Sequence, residues 1–165
     1  MEEIEKGLKE FFDYWFAGFM EGMEGLDDAS RRQVLSACGK ACARSYTVQI
    51  FHDVWSHSGD LDSFLQNLSG RGSGSKYERL DTNAIRVTYN TCGCDLVRLG
   101  LVKSPALCEC SAANLQENLE QSLGRPASVR IESSILRGGA QCVLQVKLGE
   151  APAAGGQVVP GSPNG

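Results

Sequence analysis

The chain has 165 residues, 42% of them hydrophobic and 22% charged, and a net charge of −4. That length and balance suit one domain with a real core and exclude wholesale disorder. The acidic balance disfavours nucleic acid and membrane as partners, and no apolar run approaches the roughly 18–20 residues of a membrane span. The opening Met1-Glu2-Glu3-Ile4-Glu5 is acidic where a secretory signal would be basic, so a cytoplasmic protein is expected.

In chain order, Ile4, Leu8, Phe11, Phe12, Trp15, Phe16, Phe19, Met20 and Met23 recur at helical spacing and predict a helix over 3–25. Half of the chain's aromatic residues lie between positions 11 and 19. This stripe is expected to cover a sheet, and Phe12, Trp15, Phe16 and Phe19 to wall an apolar ligand pocket. A homodimer face is the alternative. After Gly25, Asp27, Asp28 and Ser30 offer N-caps for a second helix over 28–44, with Leu35, Cys38 and Cys42 on one stripe. A third helical stretch spans 46–57. Asp60 caps a short helix through Phe64 and Leu65, and the run from Ser69 to Ser75 is a loop.

The second half changes character. Ile85, Val87 and Tyr89 alternate with polar residues and predict a strand. A cysteine-rich connection over 92–110 follows, then a helix over 112–123 capped by Ser111 and stopped by Gly124 and Pro126. Val129, Ile131 and Ile135 mark a second strand. A turn at 137–140 leads to a third, with Cys142, Leu144, Val146 and Leu148 on one face. The fold class is α+β: N-terminal helices packed on a small antiparallel sheet that one helix interrupts. A single domain is expected over 1–148, with a disordered Gly/Pro-rich tail over 149–165.

Seven cysteines carry the chemistry: Cys38 and Cys42, Cys92-Gly-Cys94, Cys108-Glu-Cys110, and Cys142. Disulfides within the close pairs would be strained, and a reducing compartment argues against them. Two Cys-x-Cys elements can supply the four thiolates of a tetrahedral zinc site, so Cys92, Cys94, Cys108 and Cys110 are the candidate ligands. The same set admits an iron–sulfur cluster. Burial as small apolar residues suits Cys38, Cys42 and Cys142. Cys108 or Cys110 could instead be a nucleophile placed before a helix N-terminus, with His52 as its base.

The segment Ile85 to Leu148 carries a resemblance. Its closing run Ser134-Ile135-Leu136-Arg137-Gly138-Gly139-Ala140-Gln141-Cys142-Val143-Leu144 is similar to the end of 4-vinyl-reductase-type small-molecule-binding domains. The aminothiazoline-carboxylate hydrolase family ends in the same way and has cysteines placed like Cys94 and Cys108. The doubled pairs, with Cys38 and Cys42 upstream, look closest to a cysteine-rich relative of that hydrolase family. The resemblance implies an antiparallel sheet packed on helices, as in haem-type nitric-oxide sensors and transport-complex subunits. It also implies a pocket for a small apolar or heterocyclic molecule between helices and sheet. Some sensor relatives bind zinc near this hairpin; Cys142 and Glu132 match that site, but Ser134 stands where its first cysteine would be. The hydrolase pattern has an Asp where this chain has Ser111, and Gly139 replaces an acidic turn residue. The reading is therefore a small-molecule-binding or sensory domain with a thiolate metal site. A cyclic-amidine or thiazoline hydrolase and a dimeric interaction domain are the alternatives.

Overall fold

The computed structural model describes residues 2–72 and 74–150, with side chains from residue 5 onward. Most of the expected tail, residues 151–165, lies outside the described residues, as do Ser73 and the side chain of Ile4.

Four helices come first: α1 (Glu2–Glu24), α2 (Asp28–Cys42), α3 (Val48–Ser56) and α4 (Leu61–Leu68). Asp27 caps α2 by accepting the Ala29 and Ser30 N–H groups, both at 3.0 Å, and Asp60 caps α4 through Ser63 N–H at 2.8 Å. No loop separates α2 from α3. A π-helical turn, Ala43–Thr47, joins them, and the Thr47 hydroxyl donates into its widened ring at the Ala43 carbonyl (3.2 Å). The two helices predicted over 28–44 and 46–57 are thus one rod with a bulge.

Strands β1 (Lys76–Arg79) and β2 (Ala84–Tyr89) follow. Next come a one-turn helix α5 (Asp95–Arg98), a 3-10 turn Pro105–Leu107, and α6 (Cys108–Leu123). Gly124, at φ 63°, ends α6 in the left-handed region that favours glycine. Strand β3 (Ala127–Ser133), a 3-10 turn Ile135–Arg137 and β4 (Cys142–Leu148) complete the chain. The fold is α+β, with a four-stranded antiparallel sheet in the order β1-β2-β4-β3.

Register explains the core. Val87 pairs with Tyr77 on one side and Leu144 on the other, and Leu144 with Ile131. Alternate residues face α6, and Phe64, Ile85, Val87, Leu119 and Val146 are fully buried together. A second, smaller core gathers Met20, Met23, Leu35, Val102 and Leu107.

Three expectations are corrected. Helix α1 does not cover the sheet: it docks by its C-terminal end, through Met20 and Met23, onto Leu35 and Leu107. Helix α6 starts at Cys108, ahead of Ser111. Ser104 caps the preceding 3-10 turn by accepting the Ala106 N–H (3.3 Å), and Pro105 fits its first position. Ile135 lies beyond β3, which is irregular between Ile131 and Ser133. The chain beyond β4 is also tied down at its start, for Gly149 N–H donates to the Pro126 carbonyl (2.7 Å) and Arg125 Nε to the Gly149 carbonyl (2.8 Å).

Candidate functional site

The α6 start decides the fate of the cysteines. Cys108 and Cys110 both lie in its first turn, two residues apart, so they project about 200° apart around the helix axis. Cys108 is buried toward the hairpin, and its thiol donates to Ser134 Oγ at 3.3 Å. Cys110 points the other way, into the second core with Cys94. The four thiols expected to share one zinc ion therefore do not converge. Among the described residues no group of three or more metal-ligating side chains is gathered round one point.

Cys92, Cys94, Cys108 and Cys142 instead border a cavity of about 30 Å³ between the α6 N-terminus, the 90–97 connection and the β3–β4 hairpin. Val97, Leu107, Ile131, Leu136 and Leu144 complete its apolar wall, with Ser111, Ser133 and Ser134 as the polar residues. That volume holds about one water molecule. The Cys142 sulfur accepts the Ile135 N–H at 3.5 Å, and burial pushes its thiol above the ordinary range. No histidine, aspartate or glutamate lines the cavity, so no side chain there is placed to take a thiol proton. His52, the expected base, is exposed on α3 and borders neither this cavity nor the cleft described next.

Phe12, Trp15, Phe16 and Phe19 are likewise absent from the cavity wall. They form an aromatic ladder along α1: Trp15 stacks on Phe19 (5.5 Å, 7°) and meets Phe16 edge-on (5.2 Å, 88°). Phe11 is 56% exposed and Trp15 51%.

Sequence reasoning missed a second concavity. A cleft of about 370 Å³ runs along β3, one of the two edge strands of the sheet, between it and helices α2 and α6. Arg32, Arg130 and Arg137 line it with Ser36, Gln116 and Glu109. Arg130 also reaches Gln145 (3.0 Å) and Glu132 (3.4 Å), whereas Arg32 and Arg137 are in no ion pair among the described residues. The Oε2 atom of Glu109 is buried with no hydrogen-bond partner among the described residues. A basic cleft on a chain of net charge −4 is a local reversal of the overall field. The two concavities touch. Ile131 borders both, and in the turn Ile135–Arg137, Leu136 borders the cavity while Arg137 borders the cleft.

Among solved structures, a trafficking protein particle complex subunit 3 from Naegleria fowleri, covalently bound to palmitic acid, has a similar fold. The TM-score is 0.54 at 12% identity, covering 88% of this chain and 98% of that one. An H-NOX protein from S. oneidensis in the Fe(II)NO ligation state gives a TM-score of 0.47 at 16% identity, covering 73% of this chain and 66% of that one. No protein-family model and no curated protein matches the sequence.

Proposed function

We propose that this domain binds a small amphiphilic acid, with its apolar part in the cysteine-lined cavity and its acid group in the arginine cleft. The observation that carries this is the shared wall. Ile131 and the turn Ile135–Arg137 separate an apolar pocket from a basic one by a single residue step. The arginines suit a carboxylate because a guanidinium donates two parallel hydrogen bonds to it. The cavity at about 30 Å³ is smaller than an alkyl chain, so the ligand enters by displacing Leu136 and the short turn that carries it. The reading is supported by a protein of similar fold that is covalently bound to palmitic acid.

Calorimetric titration with decanoate and with decanol tests the reading. Decanoate is expected to bind and decanol to bind more weakly. Arg32→Ala with Arg137→Ala should erase that difference, and Leu136→Arg should abolish both. Equal binding of the two ligands to every variant overturns it.

A second reading rests on a separate observation, the exposed α1 stripe. Leu8, Phe11, Phe12 and Trp15 follow the spacing by which a helix presents anchors to a partner, and monomers rarely leave such a patch uncovered. A second copy supplies the same stripe and would form a two-fold interface. Sedimentation should show a dimer that Phe11→Asp with Trp15→Asp dissociates; a monomeric parent chain removes this reading and leaves the binding site untouched.

A further inference from the structure

Helix α1 has two apolar faces, and the fold uses one of them. Phe16, Phe19, Met20 and Met23 pack into the second core, and no described α1 residue ahead of Phe16 belongs to either core. The other face carries Leu8, Phe11 and Trp15, each about half exposed. A helix in water owes most of its stability to whatever covers its apolar face. Ahead of Phe16, α1 lacks that cover within one chain.

Beyond Trp15 the exposed face continues as glycine. Positions 8, 11, 15, 18, 22 and 25 follow each other at alternating steps of three and four, the 3.5-residue repeat of a coiled-coil seam. Leu8, Phe11 and Trp15 fill the first three, and Gly18, Gly22 and Gly25 the last three. Glycine inside a helix is destabilising relative to alanine, so each needs a packing reason. Gly39 of α2 has one, because an added Cβ would strike α6. Gly18 and Gly22 have none among the described residues, since an added Cβ at either meets nothing within 4 Å. Gly25 follows the same spiral, for its N–H donates to the Glu21 carbonyl (3.2 Å).

We propose that two copies of this chain pair their α1 helices antiparallel, each bulky residue of one seated on a glycine of the other. This rests on the dimer reading of α1 and gives it an orientation and a register. A two-fold axis level with the midpoint between Phe16 and Ala17 sets Leu8 against Gly25, Phe11 against Gly22 and Trp15 against Gly18 of the second copy. One register thus satisfies all three layers, over about 25 Å of helix. A parallel pair would set Phe11 on Phe11 and Gly18 on Gly18, crowding one half of the seam and leaving the other empty.

Charge and area agree with that choice. Helix α1 has seven carboxylates and two lysines, and none of them occupies a seam position. The antiparallel pair holds the two acidic N-termini at opposite ends and sets the helix dipoles head to tail, whereas a parallel pair would bring like charges together. Glu21, flanking the seam, comes beside the hydroxyl-bearing Tyr14 of the second copy. The same acidity disfavours an anionic lipid surface as the cover. An aromatic side chain buries about 150–250 Å² in full, so the half-exposed residues of two stripes supply roughly 1,000 Å², the level at which specific interfaces begin.

Sedimentation of the full chain over a range of concentrations tests this, with circular dichroism as control. The parent is expected to dimerise. Gly18→Leu and Gly22→Leu should each raise the dissociation constant about tenfold or more, because the new side chain fills the hole that the facing residue needs. Leucine is the better helix former, so both variants should keep the parent's helical signal, and the loss is not one of folding. Trp15→Ala and Gly18→Trp should each weaken the dimer. Together they exchange large and small across one layer, and the double variant should return to within about threefold of the parent. A dimer that Phe11→Asp with Trp15→Asp dissociates, but that Gly18→Leu and Gly22→Leu leave intact, overturns the register and keeps the dimer reading. A double variant no tighter than Trp15→Ala or Gly18→Trp alone also overturns the register. A monomeric parent removes both readings, and a blue shift of its tryptophan emission on phosphatidylcholine vesicles would then assign the stripe to a lipid surface.

Discussion

Gly39 of α2 rests directly on the carbonyl oxygen of Cys110 in α6, leaving no room for a side chain. This contact fixes the crossing of α2 and α6, with Gly39 on the buried face of α2 set against the backbone of α6. Gly39→Ala is expected to force the helices apart and to cost about 1–3 kcal/mol, read as a lowered urea midpoint. An unchanged midpoint would mean that α6 shifts freely, and the crossing would lose its role.

Arg44 and Glu117 tie the π-helical turn to α6. Arg44 Nε donates to Glu117 Oε1 at 2.8 Å; the glutamate side chain is 4% exposed and the arginine 64%. Deleting the arginine leaves a buried carboxylate with only Gln121 Nε2 (3.2 Å) on that oxygen. Arg44→Ala should therefore cost about 1–3 kcal/mol, more than a surface ion pair would. Arg44→Ala with Glu117→Gln should recover part of the loss. If the double variant falls further, the pair is not the cause.

Trp15 distinguishes a core aromatic from a displayed one. A buried tryptophan costs roughly 3–5 kcal/mol on truncation to alanine, but this ring is half exposed and stacks on Phe19 of its own helix. Trp15→Ala should lower stability by less than about 1 kcal/mol in the monomer. Phe64→Ala, with a fully buried ring that meets both Phe51 (6.2 Å) and Trp55 (5.3 Å), should cost about 3–5 kcal/mol under the same conditions. Equal losses would place Trp15 in an intermolecular core.

These two aromatic residues also show how far the sequence could be read. Helical periodicity says that α1 has an apolar face; it does not say what covers that face, and the sheet does not. Strands β2 and β4 were legible because alternation persists over six or seven residues. Strand β1 was not, since Lys76-Tyr77-Glu78-Arg79 offers one apolar residue and sits at a sheet edge. The divergence of Cys108 and Cys110 is set locally, by where α6 begins. Ser104-Pro105 is a helix-start signal that precedes Cys108 and Cys110, and a helix from that point sets the two on opposite sides of α6. The arginine cleft had no sequence signature, because Arg32, Arg130 and Arg137 meet only through the packing of α2 against α6 and the sheet edge.

Stability should fall on the alkaline side, and the cysteines set where the fall begins. Cys110 has an ordinary value of 9.0 in the unfolded chain and about 12 when folded, because burial disfavours its thiolate. Below pH 9 both states hold the proton and the folded state keeps its full stability. Above it the unfolded chain releases the proton while the folded chain retains it, so stability drops until the pH reaches about 12. Cys94 and Cys142 act with the same sign, and buried Tyr77 and half-buried Tyr89, whose hydroxyls lie 3.3 Å apart, join above pH 10. Urea midpoints across this range should decline in the parent chain, and Cys110→Ala should flatten the slope just above pH 9. Tyr77→Phe should change the slope only above pH 10. A Cys110→Ala protein with the parent's slope would show that the thiol ionises freely in the folded chain.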